Sequence, residues 1–368
     1  MSDSPRSPHW TVWVGLLAAL MLAGAATDGQ ARPARKHTPA PQAAAVEQPS
    51  GFQPKRYADI VVDDKSGEVL HDTNADLLCH PASLTKIMTL YLLFEQIEAG
   101  HLKLDTPLPV SAHAAIQRPT KLGLKVNQTI TVEEAIKGLV TRSANDAAVV
   151  IAEAIAGSEE AFGRLMTVRA AMLGMASTTY INASGLPAEQ QVTTARDQAL
   201  LGRAIQHRFP QLYPYFATPS FKYRGVEIRN HNGLLGNVKG VDGIKTGYTD
   251  ASGYNLVSSV RRDDKHIVAV VLGGKSNAAR DTRMRQLIEA HIGQANGERT
   301  APVVGEARFE DPTQGEVIMP ALLTAPPGSE AVAPSLASVG SETIQARAAV
   351  NPQGSKPPGK PSRRMRQQ

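Results

Sequence analysis

The stretch YNLVSSVRRDDKHIVAVVL, residues 254–272, holds two runs rich in β-branched residues, 254–261 and 266–272, on either side of the turn-prone pair Asp263-Asp264. Such runs bounded by a polar turn predict an antiparallel hairpin. A matching pair lies near the other end of the chain, YADIVVD (57–63) and GEVLHD (67–72), separated by Asp64-Lys65-Ser66. Shorter β signals fall at 221–224, 226–229 and 244–246. Between these strands the periodicity changes. Residues 83–98 carry Ile87, Met88, Leu90, Tyr91, Leu93, Phe94 and Ile97 around nearly the whole circumference, which predicts a helix buried in the middle of a domain. Further helices are expected at 132–140, 145–156, 159–173, 194–207 and 277–292. Strands at both ends with helices between predict one α+β domain, its antiparallel sheet assembled from both ends of the chain and flanked by helices.

The domain does not fill the 368 residues. Arg6 precedes an uninterrupted apolar run from Trp10 to Ala26 followed by small residues, so residues 1–31 are expected to be an export signal peptide or, failing cleavage, a membrane anchor. Residues 32–55 form a Pro/Ala-rich linker, 56–295 the folded unit, and 296–368 a disordered tail. From Thr300 onward that tail has ten prolines and a single aromatic, Phe309, too little apolar area to offset chain entropy. The net charge of +5 divides unevenly, with only +2 on residues 56–299, and nucleic-acid binding is not expected. Lys356, Lys360, Arg363, Arg364 and Arg366 crowd the end of the tail, where at most weak contact with a membrane or wall polymer is expected. One cysteine, Cys79, closes no intramolecular disulfide, and it is read as a buried small side chain. Ten scattered histidines without HExxH give no metal signature. No metal or other cofactor is expected.

Three short motifs carry chemistry: Ser83-Leu84-Thr85-Lys86, Ser143-Ala144-Asn145 and Lys245-Thr246-Gly247. Random order would give about one SxxK and about 0.7 SxN in such a chain, but only about 0.08 KTG, so the information lies in their combination. On a helix, positions i and i+3 share a face, which puts Lys86 beside Ser83 as a candidate base. A lysine at its usual pKa would be protonated; burial and a second cation both favour the neutral amine, and Lys245 is a candidate for that cation. Ser143 can relay a proton, and the Asn145 amide offers a donor and an acceptor to a substrate peptide bond. On a strand edge, Thr246 would present a hydroxyl, Gly247 would let substrate approach the backbone, and Lys245 would supply charge for an anionic substrate end.

In this order the motifs resemble those of the serine penicillin-recognising enzymes. The strings ASLTKIMT (82–89), NHNGLL (230–235), VDGIKTGYTDASGYNLVSS (241–259) and VLGGK (271–275) narrow the resemblance to the low-molecular-mass penicillin-binding proteins, the serine-type D-alanyl-D-alanine carboxypeptidases. The resemblance implies a β-lactamase/transpeptidase-like fold with a helical subdomain carrying Ser143. It implies an acyl-enzyme on Ser83, Lys86 as base, Ser143 as relay, and Lys245, Thr246 and Arg280 around the substrate carboxylate. The backbone N–H groups of Ser83 and Tyr248 would form the oxyanion hole. The implied partners are the peptidoglycan stem peptide and, as covalent inhibitors, β-lactam antibiotics, and the implied location is the periplasm or cell envelope. Many relatives carry a second β-rich domain and an amphipathic C-terminal helix; neither is expected after Ile292 here.

Alternatives remain at this stage. A DD-endopeptidase uses the same motifs. A class A β-lactamase would carry a deacylating glutamate within the stretch from Leu165 to Ala188, which has no Glu or Asp. A catalytically silent penicillin sensor is a third reading. His80 is read as structural because Lys86 already supplies a base, Asp146 as a charge complementing a helix N-terminus, and Arg142 as a solvated loop residue.

Overall fold

A computed structural model of the protein describes residues 57–304. The apolar run 10–26, the linker at 32–55 and the tail beyond Val304 lie outside the described residues. In chain order the elements are β1 (Ala58–Asp63), β2 (Val69–Thr73), α1 (Thr85–Glu98), β3 (Pro107–Pro109), α2 (Ala112–Ala115), β4 (Thr129–Thr131), α3 (Val132–Thr141), α4 (Asn145–Ala156), α5 (Glu159–Met172), α6 (Ala195–Arg208), β5 (Ser220–Tyr223), β6 (Val226–Arg229), β7 (Val241–Thr249), β8 (Gly253–Arg262), β9 (Lys265–Gly274) and α7 (Asn277–His291).

Five strands make one antiparallel sheet in the order β2-β1-β9-β8-β7. The N-terminal hairpin joins the C-terminal meander through β1 and β9, which pair from Ala58 opposite Leu272 to Asp63 opposite Ile267. The sheet is thus closed from both ends of the chain, as the two hairpin signals required. Side chains alternate across a strand. Ile60, Val62, Val268, Val270 and Leu272 accordingly enter one core, beneath α1 and α6. Val61, Ile267, Ala269 and Val271 enter the other, beneath α7. Both faces of β9 are therefore covered, which explains why its sequence is apolar without alternation.

α1 runs through the interior, and every residue from Thr85 to Glu95 is buried. It packs on α4, α5 and α6. Local chemistry sets the helix starts. Thr131 and Glu134 form a reciprocal capping box on α3, and the side chains of Ser158, Thr194 and Ser276 each accept a backbone N–H at the starts of α5, α6 and α7.

Two differences from the sequence reading have physical causes. β3 and β4 bury one apolar side chain each, Leu108 and Ile130, too few for an alternating pattern to register. The boundary at 295 falls short, because residues 296–304 lie on the domain rather than in a tail. Asn296 donates through its backbone and side chain to the buried Asp63 carboxylate, Arg299 pairs with Asp64, and Val304 donates to His207 Nδ1.

Leu90 sits in the centre of α1 with none of its surface exposed. Leu90→Ala should lower stability by about 2–5 kcal/mol, since a fully enclosed helix cannot collapse into the vacated space. Urea unfolding followed by circular dichroism checks this; an unmoved midpoint would mean the helix is not held by packing on all sides.

Candidate active site

Ser83 stands at the entrance to α1. Residues Ala82–Leu84 form a single 3-10 turn before the α-helix begins at Thr85, with Pro81 at its N-cap. The turn is tied to the sheet from beneath. Asn255, fully buried on β8, donates its side-chain amide to the carbonyls of His80 and Pro81 and accepts from the backbone N–H of Gly273. Two glycines press on it. A Cβ on Gly247 would lie 3.1 Å from the Ser83 nitrogen, and one on Gly185 would lie 1.8 Å from the Ala82 carbonyl oxygen. The lack of a side chain at Gly247 therefore also lets β7 approach the Ser83 backbone.

Lys86, one turn into the helix, is completely buried. Its Nζ lies 3.2 Å from Ser83 Oγ, 2.7 Å from Asn145 Oδ1, and in contact with the Ser184 carbonyl oxygen. Burial holds the Lys86 pKa well below the ordinary lysine value; the charge of Lys245 pushes it further down, against an opposing pull from Asp146 and Glu159. A neutral amine has two N–H groups and one lone pair. With the N–H groups donated to Asn145 and Ser184, the lone pair is left for the Ser83 hydroxyl proton.

The second serine comes from the turn between α3 and α4. Ser143 has φ of 58°, a left-handed conformation that costs a non-glycine residue free energy and persists only where its surroundings fix it. Here Thr120 Oγ1 donates to the Ser143 carbonyl, the Asn145 N–H donates to Thr120, and the Ala144 N–H donates to Gly138. The result is a buried Ser143 Oγ with no hydrogen-bond partner among the described residues. Asn145 has a second task beside the one expected of it. Its oxygen accepts from Lys86 and one N–H of its amide donates to the Arg118 carbonyl, so it orients the base, while its other N–H is left for a substrate carbonyl. Asp146 does more than complement a helix end: its carboxylate accepts backbone N–H bonds from Leu122, Gly123 and Leu124, which fixes the loop before β4.

These elements enclose a cleft of about 550 Å³ lined by Ser83, Ser143, Asn145, Thr246, Gly247, Tyr248 and Arg280, among others. Lys245 directly precedes Thr246 and Gly247 of that lining. The side chain is buried on β7, and its ammonium donates to the Thr246 carbonyl. Two buried basic side chains thus bear on this end of the cleft, Arg280 in its lining and Lys245 on the adjoining strand. Burial and then the Arg280 charge push the Lys245 pKa down to about 7. His231, from the NHNG stretch, also lines the cleft; desolvation, Lys245 and Arg142 push its pKa down to about 4. Tyr248 is half exposed, its ring 4.3 Å from that of Tyr254 and its hydroxyl donating to Asp250. His80 uses Nδ1 on the Gln191 carbonyl. Cys79 is buried, as the sequence reading had it. Among the described residues no grouping of three or more His, Cys, Asp or Glu side chains could hold a metal ion.

Gly185, Ser184 and Asn255 had no signal in the sequence reading, because they act through backbone atoms or through lack of a side chain. Gly185 has φ of +82°, and the alanine methyl group would overlap the Ala82 carbonyl. Gly185→Ala should slow acylation of Ser83 by a fluorescent penicillin by about a hundredfold, as a displacement near 1 Å does at a reacting centre. An unchanged rate in a folded variant would show that this contact does not place Ser83.

The profile of the D-alanyl-D-alanine carboxypeptidase family, peptidase S11, matches residues 43–276. The D-alanyl-D-alanine carboxypeptidase DacC of Escherichia coli is 38% identical over 236 residues, which make up 62% of this chain and 59% of the relative. The chain thus spans about three fifths of the length of that relative. The solved structure of the D-alanyl-D-alanine carboxypeptidase DacD from Francisella tularensis superposes with a TM-score of 0.61 at 31% identity, covering 67% of this chain and 73% of that one. Penicillin-binding protein D2 from Listeria monocytogenes, solved in its cefotaxime-bound form, gives a TM-score of 0.58 at 30% identity and covers 66% and 98%. The β-lactamase/transpeptidase-like fold expected from the motifs is the fold observed. This chain belongs to the D-alanyl-D-alanine carboxypeptidase family, peptidase S11.

Proposed function

We propose that the protein is a serine-type D-Ala-D-Ala carboxypeptidase that removes the terminal D-alanine from peptidoglycan stem pentapeptides, and that β-lactams acylate the same serine. The observation that carries this reading is Lys86 Nζ, wholly buried, 3.2 Å from Ser83 Oγ and with its other directions taken by Asn145 and Ser184. Ser83 Oγ attacks the carbonyl of the penultimate D-alanine while its proton passes to the Lys86 amine. Negative charge on the carbonyl oxygen is met by the backbone N–H groups of Ser83 and Tyr248; one such donor is typically worth about 3 kcal/mol in the transition state. Ser143, with an uncommitted hydroxyl, gives its proton to the departing amine of the terminal D-alanine and takes one back from Lys86, which returns to its neutral form. Thr246 and Arg280 receive that residue's carboxylate, and water then hydrolyses the ester on Ser83. The site of action is proposed to be the periplasm or cell envelope, on the strength of the apolar run 10–26.

The purified protein should release free D-alanine from a pentapeptide ending in D-Ala-D-Ala, and Ser83→Ala should release none and take up no fluorescent penicillin. Equal release by both proteins would refute the role of Ser83.

The pH dependence follows from the two lysines. Lys86 must be neutral to accept the proton, so kcat/KM rises with pH on its acid side. Lys245 loses its proton as pH passes about 7 in the free enzyme. Attraction for the carboxylate then weakens, so kcat/KM falls above about pH 7, through a rising KM. In the substrate complex the bound anion favours the charged lysine, which moves the alkaline limb of kcat to higher pH. Lys245→Arg keeps the charge at all these pH values and should remove the alkaline limb. A limb that stays at the same pH in that variant would assign it to another group.

A further inference from the structure

Arg280 reaches the cleft from the first turns of α7, and its own neighbour holds it. Asp281 Oδ1 accepts from Arg280 Nε at 2.9 Å and from Nη2 at 2.7 Å, and the Asn255 carbonyl accepts from Nη1 at 3.4 Å. A guanidinium has five N–H groups in one plane. Three are spent on these protein oxygens, and the two that remain lie on Nη1 and Nη2, the pair that meets a carboxylate in a two-point contact. The pair is enclosed: the Arg280 side chain is 3% exposed and that of Asp281 17%. The other oxygen of Asp281 lies against Gly233 of the NHNG turn, where even an added Cβ would stand 3.3 Å away, so no side chain at that position draws the carboxylate off Arg280.

We propose that Asp281 is a positioning residue for recognition of the substrate carboxylate. It fixes the plane of the Arg280 guanidinium so that one fork of N–H groups faces the cleft beside Thr246, and it thereby sets the preference for a free C-terminus over a blocked one. The proposal rests on the carboxypeptidase reading. Neighbouring residues on a helix do not ordinarily face each other, so this contact depends on the length of the arginine side chain folding back over its neighbour. Asp281 touches none of the reacting atoms. Its loss should therefore act on binding, with the chemical step at Ser83 left in place.

The test compares two peptides, one ending in D-Ala-D-Ala with a free carboxylate and one with its C-terminus amidated, on wild type, Asp281→Asn, Asp281→Ala and Asp281→Glu. Fluorescent-penicillin labelling of Ser83 and thermal melting are recorded for each. Wild type must release D-alanine from the free-carboxylate peptide; if it does not, the carboxypeptidase reading fails, whatever Asp281 does. Given that release, Asp281→Ala should raise KM for the carboxylate peptide about tenfold, the scale of one charge-assisted hydrogen bond, with kcat within about twofold. The amidated peptide should be handled as by wild type, so the discrimination between the two peptides falls about tenfold. Asp281→Asn keeps one acceptor oxygen and should lie between, and Asp281→Glu should restore part of the discrimination. Equal losses on both peptides would mark Asp281 as merely structural, and unchanged discrimination in Asp281→Ala would overturn the proposal.

Discussion

A lysine amine kept without its proton inside a protein is the constraint around which this site is built. Burial alone favours the neutral form, but the same burial makes every unmatched hydrogen-bonding group costly. Lys86 meets both requirements at once. It lies on the helix that the rest of the domain encloses, and its N–H groups have acceptors in Asn145 and in the Ser184 carbonyl. Each acceptor comes from a different part of the chain, so the base is correctly furnished only when α1, the start of α4 and the loop before α6 have all docked. The fold and the protonation state are one problem.

The basic side chains act on one another in series. Arg280 lines the cleft, Lys245 is buried on β7 and the neutral Lys86 lies beside the nucleophile; Arg280 lowers the Lys245 pKa, and Lys245 lowers that of Lys86. Such an arrangement opposes folding. Between the ordinary lysine pKa of 10.5 and about 7 the unfolded chain binds more protons at Lys245 than the folded one does. Stability is therefore progressively lost as pH falls across that window. At about 1.4 kcal/mol for each tenfold change, the loss is on the order of a few kcal/mol, which the two apolar cores on either face of the sheet must offset. Nothing in packing calls for lysine at these two positions, and that is the physical case for their chemical use.

The sequence disclosed what repeats or alternates. The paired β-branched runs at 57–72 and 254–272 placed the sheet, and the circumferential apolar pattern of 83–98 placed the central helix, because burial on one or all sides dictates residue type position by position. It disclosed Ser83, Lys86, Ser143 and Lys245 as chemically odd residues in apolar surroundings. It could not disclose which atoms they would meet. Asn145 offers donors and an acceptor in its amide; only the fold shows that the acceptor and one N–H serve Lys86 and Arg118. The Ser184 carbonyl exists in every residue and so leaves no trace in the letter at that position. Gly185 and Gly247 are two of thirty glycines, distinguished only by the backbone that passes within about a methyl group of them. The burial of Lys245 on β7, with its ammonium on the Thr246 carbonyl, was likewise not legible, because a strand pattern does not say what covers each face.

Arg280 and Lys245 hold charges that bear on each other. In the proposed reaction, Arg280 and Thr246 touch the anionic end of the substrate and decide whether it fits. Lys245, whose ammonium has its own hydrogen bond to the Thr246 carbonyl and whose pKa responds to the Arg280 charge, would answer that anion with a change of protonation. An anion arriving at Arg280 cancels part of the charge that holds the Lys245 pKa down, and Lys245 takes up a proton. The added charge then bears on Lys86 and favours its neutral form at the moment an acyl donor is in place. In this reading substrate binding and activation of the nucleophile are coupled through the charges of Arg280 and Lys245. An uncharged ligand of the same shape would fill the cleft and leave the base unassisted.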